Sequence, residues 1–150
     1  MKTILTLVDF SAATAKVIAQ TEALAKAFGA RVILVHVLKR EPVVFDVGLA
    51  SPTVLRSPNE EAIQACQAKL DALRDSLTAA GIAATAQQFA DATMAKIIEG
   101  SIRLEADVIV VGSHHHSALY DLFIGSFTQE LLKLANCPVL VVPVDAAADR

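Results

Sequence analysis

Three groups of residues in this chain have types and spacings that could do chemistry. The first is the run Gly112, Ser113, His114, His115, His116, followed after eight more residues by Gly125, Ser126, Phe127 and Thr128. Glycine lets a backbone approach a ligand closely, and the unpaired N–H groups of a first helical turn, at the positive end of the helix dipole, suit a phosphate. The second is Asp9, at the end of an apolar run and two residues before Ser11. A carboxylate there could act as a general base, but such groups more often bind local N–H groups or a ribose hydroxyl, and binding is the role expected. The third is the histidine triplet read as metal ligands. Neighbouring side chains diverge along an extended segment, and no cysteine or acidic cluster accompanies them, so no metal site is expected. His36, set inside an apolar run, reads as a satisfied core residue.

The elements that must position these groups follow from hydrophobic periodicity. Apolar, β-branched runs at Thr3 to Val8, Arg31 to Leu38, Asp107 to Val111 and Pro138 to Val142, with a weaker one at Ala83 to Phe89, predict five strands. They are apolar at both alternate positions, as parallel strands covered on both faces must be. Helical patterns lie between them. Ser11 predicts the cap of a helix reaching Phe28, with Gly29 just past its end. Ser57, Pro58 and Glu60 read as N-cap, N1 and N3 of a helix running to about Ala80. Met94, Ile97, Ile98 and Ile102 mark a third helix, and Ser126 with Gln129 reads as the capping box of a fourth. Taken alone, Ser126 is therefore as much a helix cap as a phosphate contact. The stretch from Lys39 to Arg56 has no periodicity and is long for a loop. Strand and helix alternate throughout, which implies an α/β fold: one open, doubly wound, parallel five-stranded sheet with helices on both faces.

Composition bounds the function. The chain has 150 residues, expected to form one domain over 1–150, with 54% hydrophobic and 19% charged residues, enough for an ordinary core. Thirteen Lys and Arg against sixteen Asp and Glu give a net charge of −3 and no basic run, which argues against a nucleic-acid partner. Cys66 and Cys137 form no C-x-x-C pair and fit free thiols in a reducing compartment. No apolar stretch approaches the roughly 20 residues of a membrane span, and the run before Asp9 is short for a signal peptide. A cytoplasmic protein without membrane contact is expected. Neither G-x-G-x-x-G nor G-x-x-x-x-G-K-[ST] occurs.

The segment GSHHHSALYDLFIGSFTQELLKLANCPVLVVP, with VDFS near the start and VHV on the second strand, resembles the universal stress protein (UspA-type) family, and the order of elements matches over the whole chain. Nucleotide-binding members carry G-x2-G-x9-G-[ST]; here Gly112, Gly125 and Ser126 fit, and His115 stands where the second glycine would be. The resemblance implies a Rossmann-like sheet in strand order 3-2-1-4-5 and a site for an adenine nucleotide, ATP or AMP, with or without Mg²⁺. Val8 and Asp9 would border adenine and ribose, and the backbone of Val37 would face the base. Gly112, Ser113 and His114 would line the near side of the sugar and phosphates, with His115 beside them. Gly125, Ser126, Phe127 and Thr128 would meet the phosphates. It also implies a homodimer through the last strand, around Val139, Leu140, Val141 and Val142.

Two readings of His115 stay open. If the position needs φ > 0, histidine costs on the order of 1 to 2 kcal/mol against about 8 kcal/mol for a micromolar complex, so strain alone only weakens binding. An imidazole pointing into the phosphate space would instead close the site and leave a stress-protein dimer acting as an interaction scaffold. Between Gly112 and Thr128 there is no Lys or Arg, so an enzyme is not expected, and any ATP hydrolysis would be slow.

Overall fold

The run TILTLV becomes the first strand, β1 (Thr3–Val8), and every one of its residues is buried. That is possible only for a central strand covered on both faces. In the computed structural model, which describes residues 1–38, 41–44, 53–56, 58–90, 93–113 and 126–143, β1 pairs in parallel with β2 (Arg31–Leu38) on one side and with a strand at Val108–Ser113 on the other. In chain order the remaining elements are α1 (Ala13–Phe28), β3 (Glu41–Val44), β4 (Thr53–Arg56), α2 (Glu60–Ala79), β5 (Ala84–Ala90), α3 (Met94–Arg103), β6 (Val108–Ser113), α4 (Ser126–Leu134) and β7 (Val139–Pro143). The main sheet has the order β5-β2-β1-β6-β7. Numbering only its five strands along the chain, this is 3-2-1-4-5, as expected.

Alternation along each strand divides the core in two. Ile4, Val8, Val32, Leu34, Val108 and Val110 face α1 and α2, where Val17, Ala25, Leu70 and Leu77 meet them. Leu5, Leu7, Ile33, Val35, Ile109 and Val111 face the other way, onto Met94 and Ile97 of α3 and Leu131 of α4. Each fully buried Leu or Ile side chain contributes about 1.5 to 3 kcal/mol relative to exposure.

Several boundaries differ from the sequence reading. α1 starts at Ala13, with Ala12 at its N-cap and no side-chain cap. Ser11 lies one residue earlier; its hydroxyl donates to Asp9 and accepts from the Ala13 N–H. α2 is capped by Asn59, whose Oδ1 accepts from the Ala62 N–H at 2.8 Å, so the expected box at Ser57, Pro58 and Glu60 is displaced. Both Ser57 and Asn59 are good N-cap types, and Asn59 has the extended backbone an N-cap needs. The described part of α4 starts at Ser126, which is already helical. The Lys39 to Arg56 stretch contains an antiparallel pair, β3 and β4, with Val43 opposite Val54. Gly29 ends α1 at φ 60°, the left-handed conformation its place predicts.

Candidate functional site

All five strands of the main sheet run parallel, so their carboxyl ends share one edge, and strand order reverses at β1, between β2 and β6. A crevice opens there, as it does in doubly wound sheets generally. It is a cleft of about 600 Å³ whose walls come from the ends of β1, β2 and β6 and from the first turns of α1 and α4. A larger hollow of about 930 Å³ lies at the opposite end of the sheet. Its polar groups are already engaged in holding strand starts together: Asp107 accepts from the Lys2 and Thr3 N–H groups, and Arg31 donates to the Thr3 hydroxyl and the Leu104 carbonyl. The cleft at the carboxyl edge is the better candidate on the geometry of the fold.

Of the residues singled out from the sequence, Val8, Asp9, Val37, Gly112, Ser126, Phe127 and Thr128 all line this cleft. Residues separated by more than a hundred positions are brought together because β1 is the middle of the sheet. Ser113 is buried and its hydroxyl donates to the Val142 carbonyl at 3.4 Å, toward the neighbouring strand. His114, His115 and Gly125 lie outside the described residues.

The chain leaves β1 through an unusual turn. Phe10 has φ 60°, a conformation that costs an L-residue with a bulky side chain about 1 to 2 kcal/mol. The turn brings the Asp9 carboxylate back over the start of α1, where Oδ1 accepts from the Ser11 N–H at 3.0 Å and the Ser11 hydroxyl at 2.7 Å. A longer contact of 3.5 Å reaches the Thr14 hydroxyl. Asp9 is thus a turn-forming acceptor that also borders the cleft.

Sequence reasoning missed His36 as a cleft residue. It is satisfied, as expected, since its Nδ1 donates to the Val8 carbonyl at 2.8 Å, but it is only half-buried and lines the cleft beside Val37. Val35, Ala13, Thr14 and Val17 complete the wall on that side. The place of His36 opposite Val8, the last residue of β1, shows only in the folded sheet.

The chemistry of the cleft is set by apolar walls and helix-start amides. Its walls are mostly aliphatic, and among the described residues no Lys or Arg lines it. The first-turn amides of Ser126, Phe127 and Thr128 supply the positive end of a helix dipole. Among the described residues no group of three His, Cys, Asp or Glu could hold a metal ion, and no helix is long and apolar enough to cross a membrane.

Comparison with known proteins places this arrangement. The universal stress protein family model matches residues 1–143. A universal stress protein of Thermus aquaticus is 33% identical over 148 residues, covering 94% of this chain and 98% of that one. Among solved structures, a universal stress protein from Archaeoglobus fulgidus superposes with a TM-score of 0.72 at 20% identity, over 95% of this chain and 98% of the other. A structure of a universal stress protein from that organism in complex with dAMP gives 0.68 at 19% identity, over 95% and 98% of the two chains. With nearly the whole chain matched and the expected strand order in place, this protein belongs to the universal stress protein family.

Proposed function

We propose that the cleft binds an adenine nucleotide, ATP or AMP, and that the protein acts as a homodimeric stress-response module. The observation that carries this reading is the meeting of Asp9, Val37 and the first turn of α4 around one cleft of about 600 Å³. That volume is ample for a nucleoside with its phosphates, being within the usual range for small-molecule sites. Asp9 and Val8 border the sugar and the base, and the Val37 backbone faces the base edge. Gly112, with the backbone of Ser113 and with His114 and His115, flanks the sugar and phosphates; Gly125, Ser126, Phe127 and Thr128 meet the phosphates. The A. fulgidus relative solved with dAMP supports a nucleotide as the ligand class. The described residues offer no cation cage, so Mg²⁺ would be held through phosphate oxygens.

Hydrolysis of bound ATP is slow at most, because no Lys or Arg lies between Gly112 and Thr128 to stabilise a transferring phosphoryl group. Residues 1–150 act as one domain. The dimer forms through β7, an edge strand with Leu140 exposed, which pairs only with β6 among the described residues. Cys66 and Cys137 are unpaired thiols, in keeping with a cytoplasmic location.

The experiment is direct. The chain has no Trp and one Tyr, so a co-purified nucleotide would dominate its ultraviolet spectrum. Calorimetry with ATP and with AMP gives the affinity, and Gly125→Val, which adds bulk where backbone meets phosphate, abolishes it while the dimer survives. Unchanged affinity in Gly125→Val rejects the phosphate site. A wild-type dimer that binds neither nucleotide would instead be an interaction scaffold closed by His115.

A further inference from the structure

His36 is engaged in a way that ligand contact alone does not require. Its Nδ1 lies 2.8 Å from the Val8 carbonyl, the last of β1. A carbonyl only accepts, so Nδ1 carries a proton whether the imidazole is neutral or charged. The same ring lies 4.5 Å from that of Phe10, tilted by 38°. Phe10 is the residue held at φ 60°, and its ring also packs against the core under α1 and α2, with the Lys69 ammonium 5.4 Å from its centroid. Two rings therefore tie together the end of β1, the turn into α1, β2 and α2.

A bulky residue stays in the left-handed region only when its surroundings over-determine it. If the ring of Phe10 lost its backing, the turn would relax, and the Asp9 carboxylate that accepts from Ser11 would leave its place on the cleft wall. We propose that His36 is a positioning residue of the cleft: by holding the Val8 carbonyl and backing the Phe10 ring, it fixes the left-handed turn that presents Asp9 to the ligand. This rests on the nucleotide-binding reading for its consequence, though not for its geometry.

The test has one arm without ligand and one with AMP, on the full-length protein. His36→Phe keeps a ring against Phe10 and removes the donor to Val8; His36→Asn keeps an amide donor close to the position of Nδ1. Hydrogen exchange of the Ser11 amide, read by NMR, becomes about tenfold faster in His36→Ala, which loses both ring and donor, and rises less in His36→Phe and His36→Asn, each of which keeps one of them. The affinity for AMP falls about tenfold in His36→Ala and about threefold in each of the other two variants; tenfold corresponds to about 1.4 kcal/mol. Unaltered Ser11 exchange in His36→Ala overturns the assignment. If His36→Ala does not fold, Phe10→Ala decides, since it removes the ring yet leaves an L-residue that φ 60° strains: faster Ser11 exchange and weakened AMP binding with the fold intact support the role of the ring pair, and wild-type exchange refutes it. Should the wild type bind neither AMP nor ATP, the nucleotide reading falls, while Ser11 exchange still decides what His36 does.

Discussion

The hydroxyls of Thr6 and Thr21 meet at 3.0 Å in the interior, joining the middle of β1 to α1 with both residues fully buried. A buried hydroxyl left without a partner costs about 1 to 3 kcal/mol, whereas removing both partners together is close to neutral. Thr21→Val is therefore expected to lower stability by about 1 to 3 kcal/mol in urea denaturation. The double variant Thr6→Val with Thr21→Val is expected to lose less than the sum of the two single changes. Strict additivity would mean that the two hydroxyls do not act as a pair.

Asp9 gives a second prediction. Its Oδ1 holds the Ser11 N–H and hydroxyl, and an asparagine keeps that oxygen. Asp9→Asn should preserve stability, while Asp9→Ala should lose about 1 kcal/mol. Both are measured by thermal or urea melting, and equal losses would contradict the role given to Oδ1.

At the other end of the sheet, the Lys2 and Thr3 N–H groups hold the Asp107 carboxyl below its ordinary value. The folded state therefore favours the ionised form. This contribution is fully present above the ordinary aspartate range and is lost as pH falls through the lowered value. Comparing wild type with Asp107→Asn, the stability difference at neutral pH should shrink below about pH 4. A difference that stays constant into strong acid would show that the charge is not responsible.

Burial is the main cause that pushes the Cys137 thiol up, with the Asp107 charge adding to it. Alkylation of Cys137 by iodoacetamide at pH 8, followed by peptide mass spectrometry, should be slower than that of a free cysteine and should keep rising with pH beyond the usual thiol range. Fast labelling at pH 8 would contradict this.

The proposed dimer is tested at its edge. Leu140 is 36% exposed on β7, so a lysine there should be tolerated by the single chain but should block strand pairing. Leu140→Lys is expected to halve the mass seen by sedimentation, and an unchanged mass would move the interface elsewhere.

How much of this was legible in the residues depended on the kind of signal. β1 and β2 were readable to the residue, because a strand-length run with apolar and β-branched residues on both alternating faces has few other places in a fold. Helix starts were less so: Ser11 and Ser57 each looked like a cap, yet Ala12 and Asn59 occupy the N-caps of α1 and α2. Capping preference is worth only about 1 kcal/mol, and packing of the apolar face decides where the first turn falls. β3 and β4 gave no pattern because each is only four residues long.

On the candidate site, glycines, hydroxyl residues and Asp9 stood out by type, and seven of the residues named there meet at the cleft. Phe10 did not stand out, since positive φ is ordinarily assigned to glycine or asparagine and only the ring contacts of the folded molecule make it tenable. His36 was misjudged for a related reason. A histidine among valines looks interior, and nothing local says that the strand is about to end at a crevice.

β1 is made before both strands that flank it, yet it is the centre of the sheet. Ile4 finds Val108 beside it, and the Lys2 amide closes on Asp107, only after more than a hundred further residues have been made. Until then a growing chain on the ribosome carries TILTLV with one side of its ladder open, so β1, β2 and the helix α1 between them must wait as an unfinished half. Late closure of this kind makes folding slow and leaves a sticky edge during translation.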